Sequence, residues 1–416
     1  MSFKSEVDVA VIGAGAAGLA AAHELAAAGM DVLLVEARAR IGGRAWTLRE
    51  GQPCALDLGC GWLHSADVNP WLQIAGELGF TIDKSTPPWA RRSRDIGFAP
   101  GEYEDFSRAA DLFWDRLEAA KDAEPDAPAS AFVEAGSRWI NLLESISTYY
   151  SGAALDRVST RDIGRYVDTG VNWRVVEGYG ALIAAYGADL PVVFNAPVSA
   201  IDHSGARVKT DTPRGTISAR AAIVTLPTNV LASGAIAFRP ALDEKLHAAS
   251  HLPLGLADKL FFRMHRPEDF PKGVHFFGAI DRLTASYDVR PLGCPILECY
   301  FGGSLAADLE KGGAAAFESL ARKQLTKHLG ADVVANITPI ACTFWQNDPF
   351  ARGSYSHALP GHADERLVLA APVGDRLFFA GEACSPEHFS TAHGAYMTGI
   401  EAARQVIART PVVAGA

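Results

Sequence analysis

The chain has 416 residues, 49% of them hydrophobic and 21% charged, so it is long enough for two cores at roughly 100–200 residues per domain and too apolar for disorder. Lys and Arg total 38 against 48 Asp and Glu, a formal charge of −10, which disfavours nucleic acid and anionic membranes as partners. No apolar run approaches the ~18–20 residues that span a bilayer, and Met1–Glu6 is too short and polar for a secretory leader, so a soluble cytoplasmic protein is expected. The six cysteines, Cys54, Cys60, Cys294, Cys299, Cys342 and Cys384, form no CxxC pair and lack zinc-ligand spacing. They are expected to be buried small hydrophobes rather than disulfides or metal ligands.

In chain order, Asp8–Ile12 reads as a buried parallel strand, followed by Gly13-Ala14-Gly15-Ala16-Ala17-Gly18. A helix of small residues runs from about Ala16 to Ala28 and stops at Gly29, and a second strand, Asp31–Glu36, ends on an acid. This is a βαβ unit with its glycines between the first strand and the helix. Gly13 permits the tight turn, Gly15 lets backbone approach a pyrophosphate, and Gly18 allows close helix–strand packing. The amides of Ala16 and Ala17 open the helix toward phosphate, and Glu36 can accept from ribose hydroxyls.

From about Arg91 to Ser151 the pattern is helical, with Phe106, Leu112, Phe113 and Leu117 at helical spacing and Ala123–Pro128 as a loop. Strand signals return at Val192–Asn195, Val198–His203, Arg207–Thr210, Thr216–Ser218 and Ala222–Leu226, then at Leu260–Arg263, His275–Ile280 and Ile296–Tyr300. Glu310–Leu329 reads as a helix, Leu377–Ala380 as a strand, and Gly394–Ala408 as a closing helix.

Several of these segments together resemble the flavin amine oxidase superfamily, of the polyamine and monoamine oxidase type. Glu36-Ala37-Arg38 and Gly42-Gly43-Arg44 look like its extended fingerprint, in which Arg44 adds a cation near the pyrophosphate. Leu58-Gly59-Cys60-Gly61-Trp62-Leu63-His64 is similar to the stretch that passes the flavin ring, with Trp62 as a wall, and Val198 and Trp345 match further cofactor positions. Gly381-Glu382 and Thr391-Ala392-His393-Gly394-Ala395-Tyr396 resemble the second signature, where the Glu holds ribityl hydroxyls and the last helix points its start at the flavin, with Thr391, Ala392 and Ala395 beside it.

What the resemblance implies is an α/β fold. A Rossmann-like FAD-binding domain of the glutathione-reductase type (residues 1–90, 173–246 and 345–416) interleaves with an α+β substrate domain of mixed sheet plus helices (91–172 and 247–344). It implies FAD as cofactor, held noncovalently because Ser354 stands where many monoamine oxidases have the tethering Cys. Lys259 matches the lysine that reaches the flavin through a water, and Tyr355 and Tyr396 match two aromatic residues flanking the substrate amine. His64, at the site mouth, is expected to titrate near neutrality and favour the free amine. The expected partners are a small-molecule amine and O2, with a homodimer as an open expectation and no metal.

The expected reaction is oxidation of a primary or secondary amine, with di- and polyamines included, to an imine that hydrolyses, and release of H2O2. An L-amino-acid oxidase or flavin desaturase remains an alternative. Cys60–His64 offers no Arg for a carboxylate, although Arg91, Arg92 or Arg94 could supply one. A flavin-binding protein without turnover is the remaining alternative. A pyridine-nucleotide flavin reductase is disfavoured by the lack of a second fingerprint.

Overall fold

An apolar strand that runs straight into glycines, Glu6–Ile12, forms the centre of an eight-stranded sheet in the computed structural model, which describes residues 5–90 and 96–409. It pairs in parallel with Val32–Val35 on one side and with Gly215–Val224 on the other. Val192–Val193 extends the parallel array beyond Val32–Val35. Gly215–Val224 is long enough to serve two neighbours: its first half pairs antiparallel with Val208–Thr212 and its second half parallel with Leu377–Phe379. The expected strands Thr216–Ser218 and Ala222–Leu226 are therefore one, because the small residues between them are buried and keep the sheet pattern.

The helix Ala16–Ala27 lies on this sheet and packs against the closing helix Ala392–Arg409. Alanines and one glycine let the two approach, since a Cβ on Gly399 would collide with the Ala17 carbonyl. Gly29 ends the first helix at φ +77, a conformation glycine adopts without strain.

The second sheet has five strands in the order Val274–Phe277, Ser286–Val289, Ile296–Gly302, Ala257–Met264, Ile337–Cys342. Every pairing in it is antiparallel, so mixed character belongs to the larger sheet and not, as expected, to this one. Short connections account for this among Val274–Phe277, Ser286–Val289 and Ile296–Gly302, since parallel pairing needs a long crossover, while Ala257–Met264 meets both its neighbours across longer stretches of chain. Its apolar face packs on the helix Gly313–Leu329 through Phe301, Phe317 and Leu325. The single helix expected over Glu310–Leu329 is two, Gly303–Lys311 and Gly313–Leu329, broken where Gly313 takes φ +65. The strands Ser286–Val289 and Ile337–Cys342 were not among those expected from sequence.

The helices Glu102–Ala120 and Ile140–Ser151 form a separate cluster around Phe106, Phe113, Leu117 and Leu142, while Leu112 faces out. Ala123–Pro128 is a loop, as its composition implies. Cys54 and Cys294 form a disulfide across 240 residues, which corrects the reading of all six cysteines as lone hydrophobes. The pairing is non-local, and spacing along the chain carries no sign of it. Cys299 and Cys384 are buried thiols, as expected. Among the described residues no helix is long and apolar enough to cross a membrane.

Candidate active site

Between the two sheets runs a cavity of about 1390 Å³. One end is built almost wholly from backbone. Gly13 turns at φ +102, and the Gly42 amide donates to the Ala14 carbonyl at 2.8 Å, tying the first glycine turn to the second. A Cβ on Gly43 would stand 3.2 Å from the Gly15 Cα, so two glycines meet where the cavity needs room. Gly18 does not line the cavity; a Cβ there would collide with the Gly13 carbonyl, so it closes the helix onto the strand.

Glu36 is 4% exposed, and its two carboxylate oxygens accept from the amides of Ala14 at 2.9 Å and Arg38 at 2.8 Å. It therefore braces the glycine turn while keeping lone pairs for a ligand hydroxyl. Arg38 pairs with Asp348 at 2.6 Å. Ala16, Ala17, Ala37 and Val198 complete this end.

Midway, Arg44 joins the two signatures. It donates to Glu382 at 2.9 Å and to the Ser354 carbonyl at 2.7 Å. Glu382 also accepts from the Ser356 hydroxyl at 2.6 Å and the Ser390 amide at 2.9 Å. Burial pushes its carboxyl up, but Arg44, Ser356 and Arg366 outweigh that and hold it below the usual range. Arg366, fully buried, forks onto Asp162 at 2.6 and 2.8 Å and donates to Ser356 at 2.9 Å.

The floor follows as Gly59-Cys60-Gly61-Trp62, where a Cβ on Gly59 would collide with the Arg44 carbonyl. Trp345 backs it, donating from its indole to the Leu58 carbonyl at 3.2 Å. Burial pushes the Cys60 thiol up to about 12, so it stands as a neutral thiol. Gly381, Thr391, Ala392 and Ala395 line the facing wall, where the closing helix begins.

The far end is made of side chains. Lys259 is 5% exposed, and its Nζ contacts Glu298 at 2.9 Å and the Asp57 carbonyl at 2.8 Å. A Cβ on Gly61 would lie 3.5 Å from that Nζ, which fixes the ammonium just beneath the floor. Glu298 also meets Arg174 at 3.2 Å, and Arg174 reaches Asp288 at 3.2 Å and lies over the Trp62 ring at 4.3 Å. Burial pushes the Glu298 carboxyl up, but Lys259 and Arg174 bring it down to about 2. The result is an alternating string of buried charges in which every member has a partner.

Tyr300 sits directly opposite Lys259 in the antiparallel register. Its hydroxyl is 2.9 Å from that of Tyr355, which donates to the Tyr149 carbonyl at 2.6 Å. Burial pushes both phenols above their ordinary range, so they stay protonated.

Tyr396 is not part of this wall. It turns off the Ala392–Ala395 stripe toward Trp71, 5.3 Å away between ring centroids, and Tyr186, 6.0 Å away, and it does not line the cavity. The expected second tyrosine opposite Tyr355 is thus corrected: that flank of the helix is filled by the Trp71 cluster, and Tyr300 is the phenol beside Tyr355. His64 lines the cavity with Nδ1 at 2.6 Å from the Asn172 amide oxygen. Burial lowers its pKa, so it stands neutral at pH 7, where titration near neutrality was expected.

Beyond the tyrosines the wall is aromatic, with Trp89, Phe98 and Trp114, and the exposed carboxylates Asp115, Glu118 and Asp168 rim it. Sequence reading did not single out Glu298, Tyr300, Arg174 or Asp57. One signal was there: Ile296–Gly302 places Glu298 and Tyr300 at alternate positions of an otherwise apolar strand, which puts both on one face. Arg91, Arg92 and Arg94 lie outside the described residues.

Residues 16–407 match the family of flavin containing amine oxidoreductases. The chain belongs to that family. Among curated proteins it is 30% identical to polyamine oxidase 4 of Oryza sativa subsp. japonica, over 96% of this chain and 88% of that one. It is 29% identical to lysine-specific histone demethylase 1 homolog 2 of the same plant, over 96% of this chain but only 57% of that protein. Its fold is similar to that of wild-type putrescine oxidase bound to putrescine, at a TM-score of 0.78 and 21% identity over 97% of this chain and 99% of that one. Cyclohexylamine oxidase from Brevibacterium oxydans IH-35A has a similar fold, at a TM-score of 0.77 and 21% identity over 96% and 98%.

As a family member the chain is an amine oxidase that uses FAD, and the residues present fit that cofactor. The paired glycines leave the room a pyrophosphate needs, Glu36 keeps acceptor capacity for a ribose, and Gly59 and Gly61 let the floor pack closely on the Arg44 carbonyl and on the Lys259 ammonium beneath it.

Proposed function

We propose that this enzyme oxidises an amine bearing a second positive group, a di- or polyamine, using noncovalent FAD and O2. The observation that carries the reading is the rim of Asp115, Glu118 and Asp168 on a cavity that is also lined by the aromatic rings of Trp89, Phe98 and Trp114. Bound FAD supplies the two-electron acceptor for the C–H bond next to nitrogen.

The chain's own residues do the rest. The rim acids attract the cation and hold its distal ammonium in partial contact with water. The aromatic wall strips water from the reacting nitrogen, which favours its neutral form because desolvation penalises charge. Tyr300 and Tyr355, pinned to each other and to the Tyr149 carbonyl, present their rings without rotating away. Neutral His64 keeps Nε2 as an acceptor at the cavity wall, since Nδ1 donates to Asn172. Water then adds to the imine product, giving an aldehyde and the departing amine. Lys259, held by Glu298, is the group placed to assist reduction of O2 to H2O2.

Among the described residues of the amine end, Lys259 and Arg174 are each committed to an acid, which disfavours a carboxylate-bearing substrate. Ser354 exchanges hydrogen bonds with Ala257 through its hydroxyl and offers no thiol for a tether.

The test is anaerobic bleaching of the bound flavin by matched mono-, di- and polyamines and by amino acids. Asp115→Asn with Glu118→Gln should raise KM for polyamines about tenfold, the value of roughly 1.4 kcal/mol of lost attraction, and leave KM for an apolar monoamine unchanged. Equal effects on both, or bleaching by amino acids alone, would remove the reading.

A further inference from the structure

Away from the cavity, the helix Asp243–His251 carries His247 and His251 four residues apart, so one turn brings both imidazoles to the same side. The helix Glu365–Ala370 packs on it and adds Glu365. One ligand atom from each of His247, His251 and Glu365 lies within 4.8 Å of the other two. His247 Nε2 stands 3.7 Å from Glu365 Oε1, and His362 Nδ1 stands 3.6 Å from the same oxygen. Two donors on one tetrahedral zinc ion are ~3.3–3.5 Å apart, given bonds of about 2.0–2.1 Å, so small side-chain rotations would close the set.

A second feature points the same way. His251 Nδ1 lies 3.0 Å from the His247 carbonyl, which leaves Nε2 as the free nitrogen. Metal-bound histidines are commonly oriented by such a contact through the other ring nitrogen. The His362 ring stacks on His251 with centroids 3.7 Å apart, so a third imidazole is already beside the set.

We propose that His247, His251 and Glu365 form a site for a divalent transition metal of the zinc class, with His362 as the neighbouring fourth group. Two imidazoles and one carboxylate are a donor set suited to zinc. The ion would sit on the surface, since His247 is exposed and the other two are half-buried. It would clip together two segments that lead to the cavity. The Leu359 amide donates to the His251 carbonyl at 3.0 Å, and Leu254 bridges Ser356; the first segment runs on to Lys259 and the second comes from Tyr355. The role is thus structural, with no part in the chemistry.

Chelator-treated, FAD-loaded protein is titrated with Zn²⁺ by calorimetry, and its unfolding temperature is measured with and without the ion. One tightly bound ion per chain is expected, with a rise in Tm, because a ligand that binds only the folded state stabilises it. His247→Ala with His251→Ala should weaken binding by at least about a hundredfold and abolish the Tm rise, and Glu365→Gln by about tenfold. His265→Ala, at an exposed histidine bonded to Thr338, should change neither. Flavin content, read at each step, reports folding. Binding that survives the double substitution at full strength, or no binding by the parent protein, overturns the proposal. Neither result depends on which amine is oxidised.

Discussion

The two ends of the cavity are built by different rules. The dinucleotide end is backbone: glycines at 13, 15, 42, 43 and 59, with hydrogen bonds between turns, and one carboxylate that braces them. The amine end is side chains: Lys259, Glu298, Arg174, Tyr300 and Tyr355, brought in from separate strands and loops. A backbone cradle tolerates almost no added atom but asks nothing of charge. A side-chain wall tolerates reshaping but depends on every buried charge having its partner. Substitutions at the two ends should therefore fail differently.

The largest effect is expected at Gly18. A Cβ there collides with the Gly13 carbonyl, which is backbone and can yield only by moving the whole turn. Gly18→Val should give protein with little or no retained flavin, measured by absorbance after desalting. Full flavin content would show that the cradle is softer than its geometry.

Next comes Lys259. Lys259→Met should slow reoxidation of the reduced flavin by O2 by about 100-fold, the scale of one well-placed proton donor, while anaerobic reduction by amine changes far less. Stopped-flow traces of the two half-reactions separate these, and an unchanged reoxidation rate removes the role. The aromatic wall offers a smaller contrast. Tyr300→Phe breaks the bond to Tyr355 and should lower kcat several-fold, whereas Tyr396→Phe, made in the Trp71 cluster, should leave kcat and KM near the parent values. The reverse order would restore Tyr396 to the substrate wall.

The smallest effect is on stability. Asp258 points to the opposite side of the same strand as Lys259, accepting from Thr343 at 2.9 Å and the Trp345 amide at 3.0 Å. Burial, opposed by those bonds and reinforced by neighbouring Glu310, pushes its carboxyl up to about 8. The folded protein thus holds a proton that the unfolded chain releases above its ordinary range. Unfolding then becomes easier as pH rises toward 8, by at most about 1.4 kcal/mol per pH unit. Asp258→Asn should flatten that slope in urea titrations between pH 5 and 8; an unaltered slope would mean the carboxyl is already ionised.

The same contrast explains what the sequence disclosed. Gly13, Gly15, Gly18 and Glu36 lie within one βαβ unit, and their spacing alone implies a phosphate turn. Gly42-Gly43-Arg44 and Gly381-Glu382 were legible as family signatures because each is contiguous. The Lys259–Glu298 pair was not, since it depends on the register between two strands, and no local pattern encodes register. Tyr396 misled because a motif fixes a residue's place in a helix but not which flank its neighbours occupy. Cys54 and Cys294, 240 residues apart, were hidden for the same reason.

That disulfide has a mechanical consequence. It closes a covalent ring around both helices of the aromatic wall and most of the first sheet. A protease that cuts the loop at Ala123–Pro128 would therefore divide the chain without separating it. The two fragments should run as one species on a denaturing gel and part only when a reductant is added.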